Sequence, residues 1–389
     1  MATAFFATSR ARTDGPGGRD VFGHEAASDP AHRLWLGTAE VSTGGGPAEA
    51  RKVRTVECSG RDDFDPADGT CGAVLDAFLA AASASGAVPL LSIHGFQYTF
   101  EDALARTGEL VEFYGHLDGP APVQLVPLLF TWPSRGAFSL DAYRDDRASA
   151  EAAGQALGRL LVALAARHGG EEAPRLCLLA HSMGVFALGH GVRAACASPE
   201  WAGAPPPRFL ATAVLAAGDI DNDALGAGGP LAALADMAEQ VVATVYNGDK
   251  MAGWFGSGHG PAEALATEGP PLKQALPGNV FAFDCAFLID TALPVPQDQV
   301  EPNWIGHQYY RNQPLVRDDL ARLLDGEPAP LPKWKRHWPP PPGGPTDAGG
   351  HTARAVLLVR QQLEGVAKRA ERQPAGAGRR AAARLGAPV

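Results

Sequence analysis

The sequence predicts an α/β fold, a mostly parallel sheet flanked by helices, with short antiparallel strands at the N-terminus. Three observations predict it. Runs of strand length such as "AVPLLSIHG", "PVQLVPLLFTW" and "RFLATAVLAAG" are apolar almost throughout, as strands buried on both faces are. Between them lie segments whose apolar residues recur at helical spacing. The two kinds alternate from Gly72 to Leu324, the order that βαβ units impose.

The elements follow in order. The N-terminal part reads as three strand-like pieces, "TAFFATS", "RLWLGTAEVS" and "RKVRTVEC", separated by Gly-rich breaks. "GAVLDAFLAAASAS" is helical in pattern, and "AVPLLSIHG" is a strand that ends at Gly95. "FEDALARTGELVEFYGHL" has helical spacing, and "PVQLVPLLFTW" is the next buried strand. "ASAEAAGQALGRLLVALAARHG" is a long amphipathic helix stopped by Gly169. Strand "RLCLLA" precedes helix "VFALGHGVRAACA", and strand "RFLATAVLAAG" precedes helix "PLAALADMAEQ". "VVATVYNG" and "NVFAFDCAF" are strands, and "PLVRDDLARLL" is a final helix. The Pro/Gly-rich run at 338–350 reads as a linker. Three parts result: a domain over 1–330, a linker over 331–350 and a basic helical or disordered tail over 351–389.

Composition narrows the function. A chain of 389 residues with 46% hydrophobic content can bury one large core. The net charge of −10 argues against nucleic acid as a partner, because phosphate binding needs a basic face. The tail alone is basic, with eight Arg or Lys against two Glu after His351, and is a candidate dock for an anionic partner or membrane surface. Five scattered cysteines with no Cys-x-x-Cys predict neither a disulfide framework nor a zinc site, which fits a reducing, cytoplasmic compartment. No signal peptide and no membrane span are expected. Nor is a cofactor: there is no Gly-x-Gly-x-x-Gly or Walker loop. Counted from Asp63, "DDFDPADG" has acids at relative positions 1, 3 and 6 with no closing Glu, so no metal is expected there.

Ligands of parallel sheets bind beyond the carboxyl ends of the strands. There, "LCLLAHSMGVFAL" places Ser182 between a strand and a helix. Ala180 and Gly184, two positions either side, are small, as a serine on a sharp strained turn (a nucleophile elbow) requires. "ATSRA" at 7–11 has the same small-x-Ser-x-small form but leads into a loop. A serine needs a base. His259, His307 and His337 follow Ser182, and His307 in "WIGHQYYRN" has the best address, after the last strand and before the last helix. The acid that orients it is Asp249, after "VVATVYNG", or Asp219, after "LATAVLAAG"; Asp284 is weaker. The backbone N–H groups of Met183 and Phe96 would form the oxyanion hole, with Gly95 allowing the close turn. His94, Gly95, Trp132, Arg135 and His181 are candidates for the substrate pocket. The plainer alternative makes Trp132 core and pairs Arg135 with Asp145 or Asp146. His181 adjoins Ser182, but neighbours on such a turn point apart, so it is not read as the base.

Several segments together resemble one family. "FFATSRA", "IHGFQYTFEDAL", "FTWPSRG" with "YRDDRASA", "AHSMG", "AAGDIDND", "YNGDKMA" and "GHQYY" are similar to signatures of a bacterial group of esterase/lipase-like alpha/beta hydrolases catalogued as a domain of unknown function. The resemblance spans residues 1–325 and implies the alpha/beta-hydrolase fold, with Ser182, Asp249 and His307 as a triad. At Asp249 this chain has Asp-Lys-Met-Ala where the family tends to Asp-Arg-Ala-Leu. The expected function is cleavage of a carboxylic ester, thioester or amide through an acyl-enzyme. The alternative is a non-catalytic interaction protein on the same scaffold, acting through its basic tail.

Overall fold

The computed structural model describes residues 2–14, 20–27, 33–41, 51–58, 62–64, 70–115, 122–168, 174–256, 260, 263–271, 274–286, 288–289 and 305–330. The linker, the tail, His259 and His337 lie outside the described residues.

The strands are β1 (Ala2–Thr8), β2 (Arg10–Asp14), β3 (Asp20–Ala26), β4 (Leu34–Val41), β5 (Arg51–Cys58), β6 (Val88–Ile93), β7 (Leu125–Thr131), β8 (Cys177–His181), β9 (Leu210–Ala216), β10 (Ala238–Val245) and β11 (Val280–Asp284). Nine of them form one sheet in the order β5-β4-β1-β7-β6-β8-β9-β10-β11, and β2 and β3 make a separate hairpin. From β1 to β11 every neighbouring pair is parallel, while β1–β4 and β4–β5 are antiparallel.

Helices α1 (Thr70–Ser85), α2 (Phe100–Gly115), α3 (Leu140–Arg167) and α4 (Met183–Cys196) cover the sheet, with α9 (Pro314–Leu324) at the end of the domain. Short helices α5 (Leu234–Met237), α6 (Lys250–Gly256), α7 (Leu265–Glu268) and α8 (Tyr309–Asn312) lie in the later connections. Alternation along the strands explains the two layers. Leu178 and Ala180 of β8 face a core with Leu75, Leu157 and Leu188, from α1, α3 and α4. Cys177 and Leu179 face the other core, with Leu110 of α2 and Leu320 of α9. Both faces are thus buried, which is why β6 to β10 read as continuous apolar runs. The expected fold stands: this is an alpha/beta-hydrolase sheet with antiparallel strands added at its N-terminal edge.

Three local expectations are corrected. The stretch read as helix "PLAALADMAEQ" is helical only over α5; turns precede it, and its last three residues open β10, where Gln240 bonds Thr212 of the neighbouring strand. Helix α3 begins at Leu140, eight residues before the periodic apolar pattern, because Ser139 caps it by accepting the N–H of Ala142 at 3.1 Å. Cys71, at the start of α1, is disulfide-bonded, against the expectation of reduced cysteines. Bridging depends on Cα separation in the fold and not on spacing in the chain. The case for a reducing compartment loses its basis there. No helix among the described residues is long and apolar enough to cross a membrane.

Candidate active site

Because β6 to β11 are parallel and in register, their carboxyl ends come to one edge. Ile93 pairs with Ala180 and Phe130, and His181 pairs with Ala216. His94, Ser182, Asp219 and Asp249 all follow these ends in the chain.

Ser182 sits between β8 and α4 with φ 54° and ψ −125°, a conformation that costs a non-glycine residue about 1–3 kcal/mol. It makes no side-chain capping bond to α4, so helix capping does not account for the hydroxyl. Its backbone is pinned on both sides. The Ser182 N–H donates to Ala216 O at 2.9 Å, and Ser182 O accepts from Asp219 N at 3.1 Å. Gly184 is required by space: a Cβ there would lie 2.4 Å from His94 O and 2.6 Å from Ile93 O.

His307 Nδ1 lies 2.7 Å from Asp249 Oδ2, with both side chains buried. A carboxylate oxygen accepts, so Nδ1 carries the proton and Nε2 is the basic nitrogen. The second Asp249 oxygen, Oδ1, accepts the N–H groups of Met251 at 3.0 Å and Ala252 at 3.2 Å, which caps α6 and fixes the carboxylate plane. Asp219 is engaged elsewhere. Its carboxylate accepts Tyr143 Oη at 2.7 Å and pairs with Arg147 at 3.2 Å. Burial raises its pKa, and Arg147 pulls it back. Of the two acids, Asp249 is the one brought to His307. Asp284, also buried, accepts the N–H of Ala286 at 2.8 Å.

The loop after β6 lies against the elbow. A Cβ on Gly95 would sit 2.9 Å from Ser182 Cβ and 3.1 Å from His181 O, so the loop comes this close only because residue 95 is glycine. His94 orients the next peptide: its Nδ1 donates to Gly95 O at 2.8 Å. In a trans peptide the Phe96 N–H then points the opposite way. Met183 is the first residue of α4, and its N–H has no partner within the helix.

A buried network holds this loop. His94 Nε2 accepts from Thr131 Oγ1 at 2.9 Å, and Thr131 Oγ1 accepts from Arg10 Nε at 3.0 Å. Arg10, fully buried after β1, also donates to Tyr98 O at 2.8 Å, Ser134 O at 3.0 Å and Gly23 O at 3.1 Å. Burial lowers its pKa to about 9, opposed by nearby Asp146, so it stays charged at neutral pH. Burial lowers His94 to about 3, helped by Arg10, so this ring is neutral. Asp146 accepts Ser134 Oγ at 2.5 Å and the Arg135 N–H at 3.0 Å, and Ser134 Oγ accepts the Tyr98 N–H at 3.0 Å. Two loops, 94–99 and 132–135, are thereby tied together.

Two pocket candidates make the contacts of the plainer alternative. Trp132 has no exposed surface; it stacks on His94 at 5.1 Å and donates to His94 O at 3.0 Å, so it supports the loop from beneath and does not line a cleft. The Arg135 side chain, half-exposed, pairs with Asp145 at 2.8 Å. The rings beside Phe96 are Phe255 at 5.4 Å, Tyr143 at 5.6 Å and Phe138 at 6.3 Å, and Phe138 is half-exposed. Sequence reading missed Arg10, Tyr143 and Phe255. Arg10 and Tyr143 lie inside the resemblance segments "FFATSRA" and "YRDDRASA", but local sequence assigns none of the three a role, since each acts across more than 70 residues of chain on Tyr98, Asp219 and Phe96 respectively.

Among the described residues no cluster of three His, Cys, Asp or Glu is placed to hold a metal ion. A family model described as "Alpha/beta hydrolase of unknown function (DUF900)" matches residues 75–242. That span includes His94, Gly95 and Ser182 and ends before Asp249 and His307. No curated protein and no solved structure matches the chain significantly. The likeness to this alpha/beta-hydrolase family of unknown function thus covers residues 75–242 of the chain.

Proposed function

We propose that the protein is a serine hydrolase that cleaves a carboxylic ester, or a related thioester or amide, through an acyl-enzyme. The observation that carries the reading is His307 bonded to Asp249 at 2.7 Å, with its ring 4.7 Å from that of His181, the residue joined to a serine held at φ 54°. In this reading Ser182 Oγ attacks the carbonyl carbon while His307 Nε2 takes its proton. Asp249 stabilises the resulting imidazolium. The N–H groups of Phe96 and Met183 receive the oxyanion. His307 then returns the proton to the leaving oxygen, nitrogen or sulfur, leaving an acyl group on Ser182. Water, deprotonated by His307, attacks the acyl carbon and releases the acid and the free serine.

The surroundings favour an uncharged, apolar substituent. The groups next to Phe96 are aromatic, and the nearby charges are paired with one another: Arg135 with Asp145, and Arg147 with Asp219. The test is turnover of p-nitrophenyl acetate, butyrate, octanoate and palmitate by the wild type and by Ser182→Ala. We expect turnover that rises from acetate to an intermediate chain length and falls by about 10³-fold or more in the variant. Turnover that persists in Ser182→Ala contradicts the reading.

A further inference from the structure

His181 precedes the proposed nucleophile and has no part in the reaction as described above. It is 2% exposed, and its ring lies between two others, 4.7 Å from the His307 ring and 4.6 Å from the Tyr310 ring. Its Nε2 is 3.2 Å from the backbone oxygen of His307. A carbonyl oxygen only accepts, so Nε2 must carry the proton, and that fixes the tautomer. Nδ1 is then an unprotonated lone pair. It has no hydrogen-bond partner among the described residues and points at the Gly95 backbone, where a Cβ would come within 3.0 Å of it.

We propose that His181 is a positioning residue that ties the elbow to the loop carrying the base, by donating its Nε2 proton to the backbone oxygen of His307. The inference rests on the reading of Ser182 and His307 as nucleophile and base. His307 needs two fixed points to present Nε2 to Ser182. Asp249 holds the ring at Nδ1, which sets its tilt. That bond acts on the ring. The bond from His181 acts on the backbone of residue 307 itself, and it comes from the residue directly joined to Ser182. The distance between nucleophile and base is therefore set through one side chain and one peptide link.

The surroundings suit a neutral tether. Burial lowers the pKa of His181 well below that of a free histidine, and neighbouring His307 lowers it further. Protonation would put a proton on Nδ1 against Gly95, where it has no acceptor. It would also set a second positive charge beside the imidazolium that His307 becomes during the reaction. A histidine at this position is thus suited to hold the base and unsuited to replace it.

The test compares His181→Gln, whose amide nitrogen reaches close to the Nε2 position, with His181→Phe, which keeps the ring and loses the donor. Both are assayed with p-nitrophenyl butyrate, and thermal melting shows whether each folds. We expect kcat to fall on the order of ten- to a hundredfold in His181→Phe with KM within about twofold of the wild type, the signature of a misplaced group and not of lost substrate binding. His181→Gln should recover most of that loss. Equal kcat in the wild type and His181→Phe, or equal deficits in Gln and Phe variants that both melt like the wild type, overturns the proposal. A second readout needs no turnover: ¹⁵N spectra of histidine-labelled wild type should show His181 neutral with its proton on Nε2 at pH 5. A proton on Nδ1, or titration near pH 6.5, overturns the tether even if folding of the Phe variant fails. Turnover that persists in Ser182→Ala would instead remove the hydrolase reading and leave the bond itself intact.

Discussion

At Ser182 the chain accepts a strained backbone that no capping bond repays locally. Such strain survives only where the surroundings over-determine it, and here the bonds from Ser182 to Ala216 and from Asp219 to Ser182 do so. The two acids near the site differ by partner, not by depth. Both are buried, yet Asp249 meets an imidazole while Asp219 meets a phenol and a guanidinium. Asp249→Asn should therefore lower kcat by about 10³- to 10⁴-fold, because an amide at that site no longer selects the His307 tautomer with its proton on Nδ1. Asp219→Asn should cost activity less than about tenfold and show mainly in melting temperature, through the loosened Arg147 and Tyr143. Steady-state kinetics and thermal melts of both variants check this, and the reverse order would make Asp219 the acid. The small residues around Ser182 and the addresses of His307 and Asp249 were legible in the sequence, because the elbow imposes a local steric rule and parallel strands share an exit edge. The residues alone left Asp219 open beside Asp249, which the resemblance implied, because the pairing depends on which side chains approach from α3 and from the loop before α8.

At the scale of elements, a buried histidine follows β6 and another ends β8, and each holds a backbone oxygen: His94 holds Gly95, and His181 holds His307. Both have pKa values lowered by burial, His94 to about 3. The unfolded chain takes up these protons near pH 6.5 while the folded chain does not. The contribution of the neutral rings is thus fully present above about pH 6.5 and is lost as pH falls below it, for His94 down to about 3. Each histidine contributes a slope of up to about 1.4 kcal/mol per pH unit. Asp146 and Asp219, whose pKa values burial raises, act in the opposite sense at lower pH, since the folded chain protonates them first. The clean comparison is therefore wild type against His181→Gln, melted at steps from pH 7.5 to 5. The wild type should lose stability more steeply than the variant, and parallel curves would contradict it. Long periodic elements were visible in sequence. The first turns of α3 were hidden by the charged run "YRDDR", and α6, α7 and α8 are too short for periodicity to show.

At the scale of the whole molecule, function depends on parts that meet only after the sheet has formed. Arg10 follows the first strand yet bonds Tyr98, Thr131 and Ser134, so the N-terminal strands are wired into the loop that bears Phe96. The sheet order explains why: β1 lies beside β7, next but one to β6. The sheet was legible because its strands are buried on both faces, but the buried guanidinium was not, since a charge in sequence reads as surface. The disulfide at Cys71 escaped for a related reason, since bridging is a property of distance and not of spacing. In the proposed reading this assembly makes one serine nucleophilic, and covalent labelling tests that most directly. Incubation of the folded protein with a fluorophosphonate, followed by peptide mass spectrometry, should find a single adduct on Ser182, lost in Ser182→Ala and strongly slowed in His307→Ala. A folded protein that stays unlabelled, or an adduct on another residue that persists in Ser182→Ala, would contradict it.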